Sequence, residues 1–256
     1  MKIRFEENTS PDIAHAASEG HMVVFPLGCT EQHGPHLPVM CDYGRDYGRP
    51  IKAAELAQQK YGAKVLILPT LPFGPAAEHT GFPGTISLSF ETWSAVVVEV
   101  LGNLVRDGFR KIVVTKSCGG HMGIEGPVFE FYAEMKRRFD DLDIRVYGEQ
   151  GWAEAAKLIK ASGIFDPKEV HAGGMETSMA LASFPELVHL DRLRKPEKQG
   201  TSWSGCWWIM EELSETGATG DPTRYDVELG RKIINCLDEA LGDFLGSMWR
   251  QDGDCT

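Results

Sequence analysis

One short segment of this 256-residue chain contains several side chains of the types that bind divalent metals. Residues 28–42 read GCTEQHGPHLPVMCD and include Glu31, His33 and Asp42. Glu31 and His33 are two positions apart, so their side chains point the same way if the segment is extended. The proline-stiffened turn that follows could bring Asp42 back beside them. Two carboxylates and an imidazole suit Zn²⁺ or Mn²⁺, and one carboxylate can bridge two ions. The alternative interpretation is a surface loop of hydrogen-bonded polar residues.

A second segment, HAGGMETS at residues 171–178, places a histidine before a glycine pair and a glutamate. We expect this loop to deliver His171 to a site and Glu176 to open a helix. Glu176 could complete a metal shell, although the helix dipole alone also favours an acidic residue at a helix start.

A third segment, KSCGGHMG at residues 116–123, combines a thiol, an imidazole and a glycine pair. Cys118 could be a soft metal ligand or a nucleophile, and His121 could be a ligand or a substrate contact. Gly119 and Gly120 permit close approach of the backbone to a substrate, and their N–H groups could stabilise an oxyanion. For the two side chains, a packing role at the end of a strand stays equally open.

Two further stretches contain candidate substrate contacts. Glu78 and His79 lie in a turn-rich stretch, residues 72–85, where they could line the site or belong to an ordered polar loop. Trp203, Trp207 and Trp208 lie close together outside any clear helical pattern. Such a group suggests a pocket wall or a subunit contact, and Trp207 is the candidate for substrate binding.

Apolar runs that alternate with helical patterns must position these segments. Continuous apolar runs predict strands at 22–27, 64–68, 111–115 and 143–148, because strands of a parallel sheet are buried on both faces. Apolar spacing predicts helices at 47–61, with Pro50 in the first turn, and at 91–106, 127–139, 152–162 and 223–248. We therefore predict a three-layer α/β/α sandwich with a mostly parallel sheet, as one domain over residues 1–256. In such sheets ligands bind at the carboxyl ends of the strands, where three of the polar segments begin.

The composition excludes several other classes of protein. With 26 basic and 37 acidic residues, the net charge of −11 disfavours binding to nucleic acid. The six cysteines form no CxxC pair, which is typical of free thiols in a reducing compartment. The chain has no phosphate-binding loop, no serine-hydrolase elbow and no apolar stretch of about 18 residues. Its first residues contain no apolar run of the kind found in signal peptides, so we expect none. We expect a cytoplasmic protein without a membrane partner.

The segment PLGCTEQHGPHLPVMCD resembles the first signature of the creatininase (creatinine amidohydrolase) family. FPGTISL resembles the second signature of the family, and HAGGMETSMALASFPELV resembles the segment around its HAG and ETS motifs. GATGDPT resembles a turn near the end of the family's sequences. These similarities occur in the same order along nearly the whole chain. The resemblance implies a creatininase-like fold, a binuclear site with Zn²⁺ or Mn²⁺, and a homo-oligomer that is typically a hexamer.

By position, the resemblance also implies roles for individual residues. Glu31, His33 and Asp42 match metal ligands, with Asp42 as the bridging carboxylate. Glu176 matches a glutamate close to the metals. His171 matches the catalytic histidine that moves a proton to the leaving group.

The third segment departs from the family, which usually carries NGHGGN there with its histidine as a metal ligand. Cys118 occupies the position of that histidine, and His121 falls where the last asparagine would be. Gly120 stands where creatininase has a further glutamate ligand, and Pro167 where it has an active-site tryptophan. We therefore expect one or two ions per chain, with one metal site altered or lost, and a substrate other than creatinine.

The resulting hypothesis is metal-assisted hydrolysis of a small polar cyclic substrate, as in an amidohydrolase that cleaves a C–N bond. Two alternatives stay open. One is hydrolysis of a C–C bond in a cyclic polyol ketone of the dehydro-inosose type. The other is a relative that has lost catalysis and only binds a metal or ligand.

Overall fold

The computed structural model describes residues 1–148, 152–164, 166, 168–200 and 208–250, apart from the side chains of residues 45–47. Its four strands are β1 (Met22–Leu27), β2 (Val65–Ile67), β3 (Lys111–Lys116) and β4 (Asp143–Tyr147). Its helices are α1 (Ser10–Ser18), α2 (Cys41–Tyr61), α3 (Phe90–Arg106), α4 (Glu125–Lys136), α5 (Trp152–Ser162), α6 (Gly174–Ser183), α7 (Met210–Leu213) and α8 (Val227–Arg250).

The four strands form a parallel sheet in the order β2-β1-β3-β4. Side chains of β1 alternate between its two faces, as the pleat requires. Val23 and Phe25 pack in a core that includes residues of α3 and α4, whereas Met22 and Val24 pack in a second core with residues of α2 and α8. Helices therefore cover both faces of the sheet, which confirms the predicted three-layer α/β/α sandwich.

Helix α2 differs from its prediction in a way that matters for the site. The predicted helix began at residue 47 with Pro50 in its first turn, but α2 begins at Cys41 and Pro50 lies in its interior. The glycines of the YGRDYG stretch have low helix propensity and do not predict a helix. In the structure, however, Gly44 N–H donates to Met40 O in a helical turn. The helix tolerates Pro50 at the cost of one backbone hydrogen bond. As a result, Asp42 lies in the first turn of α2, where the helix dipole favours a carboxylate.

The remaining predicted elements are present with shifted ends. Strand β2 is shorter than predicted, α4 begins and ends earlier, and α8 begins four residues later, at Val227. Helices α1 and α7 had no counterpart in the prediction. None of the helices in the described ranges combines the length and the apolar character needed to span a lipid bilayer.

The loops that follow β1, β2 and β3 meet at the carboxyl edge of the sheet. Thr30 donates its hydroxyl proton to Pro72 O at 2.8 Å and forms an antiparallel bridge with Ile86. On the other side, Ser117 donates its hydroxyl proton to Leu27 O at 2.9 Å. The three polar segments predicted to follow these strands are therefore neighbours in space.

Helix α8 packs so closely on α6 that one glycine is required at the contact. A Cβ atom on Gly230 would lie 2.1 Å from Ser178 O, whereas a Cβ atom on Gly48, in α2, would meet nothing within 4 Å. We expect Gly230→Ala to lower the free energy of unfolding by about 1–3 kcal/mol through overpacking. Gly48→Ala should raise it by about 0.5–1 kcal/mol, because alanine has the higher helix propensity. Urea denaturation of both variants checks this, and equal effects would contradict the α6–α8 packing.

Candidate metal centre and active site

The predicted site residues of the first two segments lie together in the interior, at the carboxyl end of β1. Glu31 and His33 follow β1, Asp42 begins α2, and His171 precedes α6. All four residues are at least 93% buried, and Glu176, in the first turn of α6, is partly buried. Three carboxylates and two imidazoles therefore face one another, and all but Glu176 are shielded from bulk water.

The ring of His33 is held so that one nitrogen faces two carboxylates. Its Nδ1 lies 3.1 Å from Glu31 O, and because a carbonyl can only accept, Nδ1 carries the proton and donates it. The other nitrogen, Nε2, lies 3.7 Å from Asp42 Oδ1 and 3.9 Å from Glu176 Oε2. A neutral imidazole fixed by a backbone carbonyl in this way is the usual arrangement of a metal-binding histidine.

The side chain of Gln32 determines the tautomer of His79. Gln32 Oε1 accepts from Gly34 N–H, and Gln32 Nε2 donates to Gly217 O, so the amide orientation is fixed by two backbone groups. Gln32 Nε2 therefore also donates to His79 Nδ1, at 2.9 Å. In the neutral ring, His79 then carries its proton on Nε2, which lies 3.8 Å from Glu31 Oε1. Burial lowers the pKa of His79 to about 4, so the ring is neutral at physiological pH.

His171 is held by the main chain of the same glutamine. Its Nε2 lies 2.6 Å from Gln32 O, so Nε2 carries the proton and Nδ1 is unprotonated. Nδ1 lies 3.9 Å from Glu31 Oε1. The ring lies between those of His33 and His79, with centroids 4.1–4.2 Å apart and the planes tilted by 46° and 38°. Burial and the two neighbouring rings lower the pKa of His171 well below its usual value. His171 therefore presents an unprotonated nitrogen to the polar cluster.

The backbone after His171 is unusual in conformation. Ala172 has φ of 51°, a left-handed value that costs a non-glycine residue free energy. In this conformation, Ala172 N–H donates to Glu176 Oε2 at 2.6 Å. The turn therefore ties the carboxylate that faces His33 to the residue that follows His171, and Glu176 is more than a helix-start residue.

The third segment reaches the same cluster through Cys118. Cys118 Sγ donates to Glu31 Oε2 at 3.3 Å, and Gly120 N–H donates to Cys118 Sγ at 3.4 Å. Packing also requires a glycine at position 120, because a Cβ atom there would lie 1.9 Å from Pro75 O. The substrate-binding role of Gly119 and Gly120 stays a prediction.

Cys29 is a member of the cluster that the sequence reasoning missed. It is buried, and its Sγ lies 3.2 Å from Nε2 of His121, whose ring stacks on Trp93 with centroids 4.8 Å apart. Its position could have identified it, because Cys29 lies two residues after a predicted strand and two residues before Glu31. The alternation of an extended chain places residues 29, 31 and 33 on one side.

Two groups of potential ligand atoms share Asp42. One consists of Cys29, Glu31, Asp42 and Cys118, and the other of His33, Asp42 and Glu176, with the ligand atoms of each group within 4.8 Å of one another. A shared carboxylate between two ligand groups is the arrangement of a two-metal site. The donor set fits a divalent cation, because burial and the charge of Asp42 raise the pKa of Glu31 well above its usual value. A bound cation would offset the unfavourable free energy of burying the charged carboxylates.

Other polar or aromatic residues of the chain lie apart from these groups or outside the described ranges. His36 is fully buried, and its Nε2 lies 2.9 Å from Thr177 Oγ1. Thr177 Oγ1 donates to Gly173 O, so His36 must donate to the threonine, and its role is structural. Trp207, Trp203 and Pro167 lie outside the described residues, so the predicted role of Trp207 stays a prediction.

The fold agrees with a comparison against known families. The family model for creatininases, described as creatinine amidohydrolase, matches residues 6–245. The chain therefore belongs to the creatininase family, which confirms the resemblance drawn from its motifs. It is a hydrolase of that family.

Three characterised relatives differ in the reactions that their names describe. The mycofactocin precursor peptide peptidase of Mycobacterium tuberculosis is 31% identical over 247 residues, which cover 91% of this chain and 88% of the relative. The creatinine amidohydrolase of Pseudomonas putida is 28% identical over 70% of this chain and 71% of the relative. The 3-dehydro-scyllo-inosose hydrolase of Thermotoga maritima is 25% identical over 77% of this chain and 61% of the relative.

Solved creatininase structures share the fold. One named as the Mn form has a TM-score of 0.82 and 20% identity, covering 98% of this chain and 100% of the other. A glutamate-to-glutamine variant described as the Zn-Zn type has a TM-score of 0.79 and 22% identity, covering 98% and 99%.

The buried histidine His36 provides a test of the packing beside the site. Burial, and secondarily the nearby ring of His33, lowers the pKa of His36 to about 4, whereas an unfolded histidine titrates at about 6.5. Below about pH 6.5 the unfolded chain therefore binds more protons at this residue than the folded one. Its contribution to stability is present above that pH and is lost as the pH falls toward about 4, by up to about 1.4 kcal/mol per pH unit.

Urea unfolding of the wild type and of His36→Asn at pH 7 and pH 5 measures this effect. We expect the free energy of unfolding of the wild type to fall more between the two pH values than that of the variant. Equal falls would show that His36 titrates normally in the folded protein.

Proposed function

We propose that this protein is a metal-dependent hydrolase that cleaves the C–N bond of an amide. The observation that carries the proposal is the pair of ligand groups that share Asp42, beside an unprotonated Nδ1 of His171. Cys118 stands where the family has a histidine ligand, and it lies within the first ligand group. The substitution therefore retains a potential ligand at that position.

The donor set supports one or two Zn²⁺ or Mn²⁺ ions as cofactors. His33, Asp42 and Glu176 supply nitrogen and oxygen ligands, which both metals accept. Two of the creatininase structures of the same fold are named for Mn and for Zn. When bound, such ions would polarise a substrate carbonyl and lower the pKa of a water molecule to about 7.

The residues around the ions have separable roles in this proposal. His171 Nδ1 is unprotonated and faces the cluster, so it can accept a proton from the attacking water. It then donates that proton to the departing nitrogen. Gln32 O holds the opposite ring nitrogen at 2.6 Å, so His171 keeps one orientation throughout. The buried rings of His33 and His79 on either side exclude water from the proton path.

The C–N bond is preferred because two of the three relatives carry names that describe amide or peptide hydrolysis. The substrate is then a small cyclic amide, as the sequence suggests, or a peptide. The resemblance puts creatinine itself in doubt, because Gly120 and Pro167 replace a glutamate and a tryptophan of creatininase. Hydrolysis of a C–C bond is a second candidate, supported by the likeness to the inosose hydrolase.

The ligand groups predict how many ions each variant retains. Asp42→Asn should lose both ions, because Asp42 belongs to both groups, whereas Glu176→Gln should lose only the ion at His33. His171→Asn should retain the metal content of the wild type while kcat falls by about 10²–10⁴, the usual contribution of a general acid–base. Elemental analysis with circular dichroism as a folding control measures the content. Full metal content in Asp42→Asn would contradict the shared-carboxylate site.

A substrate screen tests the bond type directly. We expect the metal-loaded protein to hydrolyse members of a panel of cyclic amides and short peptides, and not cyclic polyol ketones. Activity on the ketones alone would favour the second candidate, and no activity on any class from a protein with full metal content would favour a relative that only binds metal.

The remaining predictions concern assembly. Large apolar side chains such as Met122 (71% exposed), Phe129 (65%) and Ile86 (50%) lie on the surface, which supports a homo-oligomer. Light scattering of the purified protein decides between a monomer and an assembly such as a hexamer.

A further inference from the structure

The first ligand group differs in chemistry from the second because it contains two sulfur atoms. Cys29 and Cys118 occur together in two of the candidate ligand sets, once with Glu31 and Asp42 and once with His121. The two thiols come from different strand ends, β1 and β3, and both are free in the described structure. The sulfur pair is therefore built by the fold itself and not by neighbours in sequence.

We propose that Cys29 and Cys118, together with Glu31 and Asp42, form a sulfur-bearing metal position that selects Zn²⁺ over Mn²⁺. This inference rests on the proposed metal-dependent function and goes beyond it by assigning Cys29 as a ligand and by fixing the identity of one ion.

The distances suit such a position. Two ligand atoms on a tetrahedral Zn²⁺ lie about 3.3–3.8 Å apart, from bond lengths of about 2.0–2.3 Å. Cys118 Sγ and Glu31 Oε2 are 3.3 Å apart, and all four ligand atoms lie within 4.8 Å of one another. Small side-chain adjustments would close the group on one ion.

Neighbouring groups also suit thiolates. Gly120 N–H donates to Cys118 Sγ, and the approach of His121 Nε2 to Cys29 Sγ allows a second N–H donor to the other sulfur. Such outer hydrogen bonds stabilise metal-bound thiolates. A Cβ atom on Gly74 would lie 2.6 Å from His121 Nε2 and 3.0 Å from Cys29 Sγ, so the glycine leaves space for this contact. We assign His121 as the positioning residue of Cys29.

The ligand chemistry determines the selectivity. Thiolates are soft ligands that favour Zn²⁺, whereas Mn²⁺ prefers carboxylates and water. The second group, with a histidine and two carboxylates, has no sulfur among its described members and accepts either metal. A protein loaded from a mixture of the two metals should therefore always contain Zn²⁺ at the sulfur-bearing position.

Cobalt substitution detects the sulfur ligands without reference to activity. We expect the full-length protein, loaded with Co²⁺ under reducing conditions, to show a near-ultraviolet sulfur-to-cobalt charge-transfer band. Cys29→Ser and Cys118→Ser should each lose about half of its intensity, and the double variant should lose all of it. Cys236→Ser, which removes a thiol from α8 far along the chain, is the matched control and should leave the band unchanged.

Competition between metals tests the selectivity. The double variant should bind Zn²⁺ more weakly than the wild type by at least about tenfold, since loss of an outer-shell partner alone costs about 10–100-fold. Its affinity for Mn²⁺ should change less. An equal loss for both metals would overturn the selectivity.

The outcomes separate this inference from the proposed function. Two bound ions without a charge-transfer band would refute the sulfur ligands and leave the metal-dependent hydrolase standing. A protein that binds no metal would refute both. If the serine variants fail to fold, ¹¹³Cd NMR of the wild type decides, because the chemical shift of cadmium distinguishes thiolate ligands from oxygen and nitrogen ligands alone.

Discussion

The structure depends on the burial of two carboxylates side by side, Glu31 and Asp42, at the end of a central strand. Removing a charged carboxylate from water costs free energy, and a second negative charge adds to that cost. The neighbouring rings of His79 and His171 cannot offset it, because burial lowers their pKa and leaves them neutral. A divalent cation is the partner that this arrangement suits, and the loops after β1, β2 and β3 together enclose it.

A single peptide segment organises the protons around this charge. The main chain of Glu31 fixes the ring of His33, and the main chain of Gln32 fixes that of His171. The side chain of Gln32 fixes His79. Two consecutive residues, Glu31 and Gln32, thus set the tautomers of three imidazoles. Gln32 therefore matters as much as the residues on either side, although it has no acid–base chemistry of its own.

The three layers of the fold and most residues of the metal-binding cluster could be predicted from the sequence, because both depend on local patterns. Continuous apolar runs identified the strands, and the spacing of residues 31 and 33 placed two side chains together. Other features depend on contacts between distant segments, which no local pattern encodes. Cys29 belongs to the site only because β3 places Cys118 beside it. The start of α2 was missed because its glycines and Pro50 have low helix propensity, whereas tertiary packing stabilises the helix there.

The left-handed turn at Ala172 and the contact from His171 to Gln32 bear on the order of events during synthesis. The ligand groups combine residues near positions 30, 118 and 176, so no fragment that ends before α6 contains both complete groups. An emerging chain meets the metal with only part of its donors, and a preformed site does not exist in the unfolded state. Closing the His171–Gln32 contact brings together residues 139 positions apart, a slow step for a chain of this topology. Uptake of an ion by the group of His33, Asp42 and Glu176 would therefore come late in folding, after α6 has packed. A cell short of that ion would accumulate chains whose buried carboxylates lack a compensating positive charge.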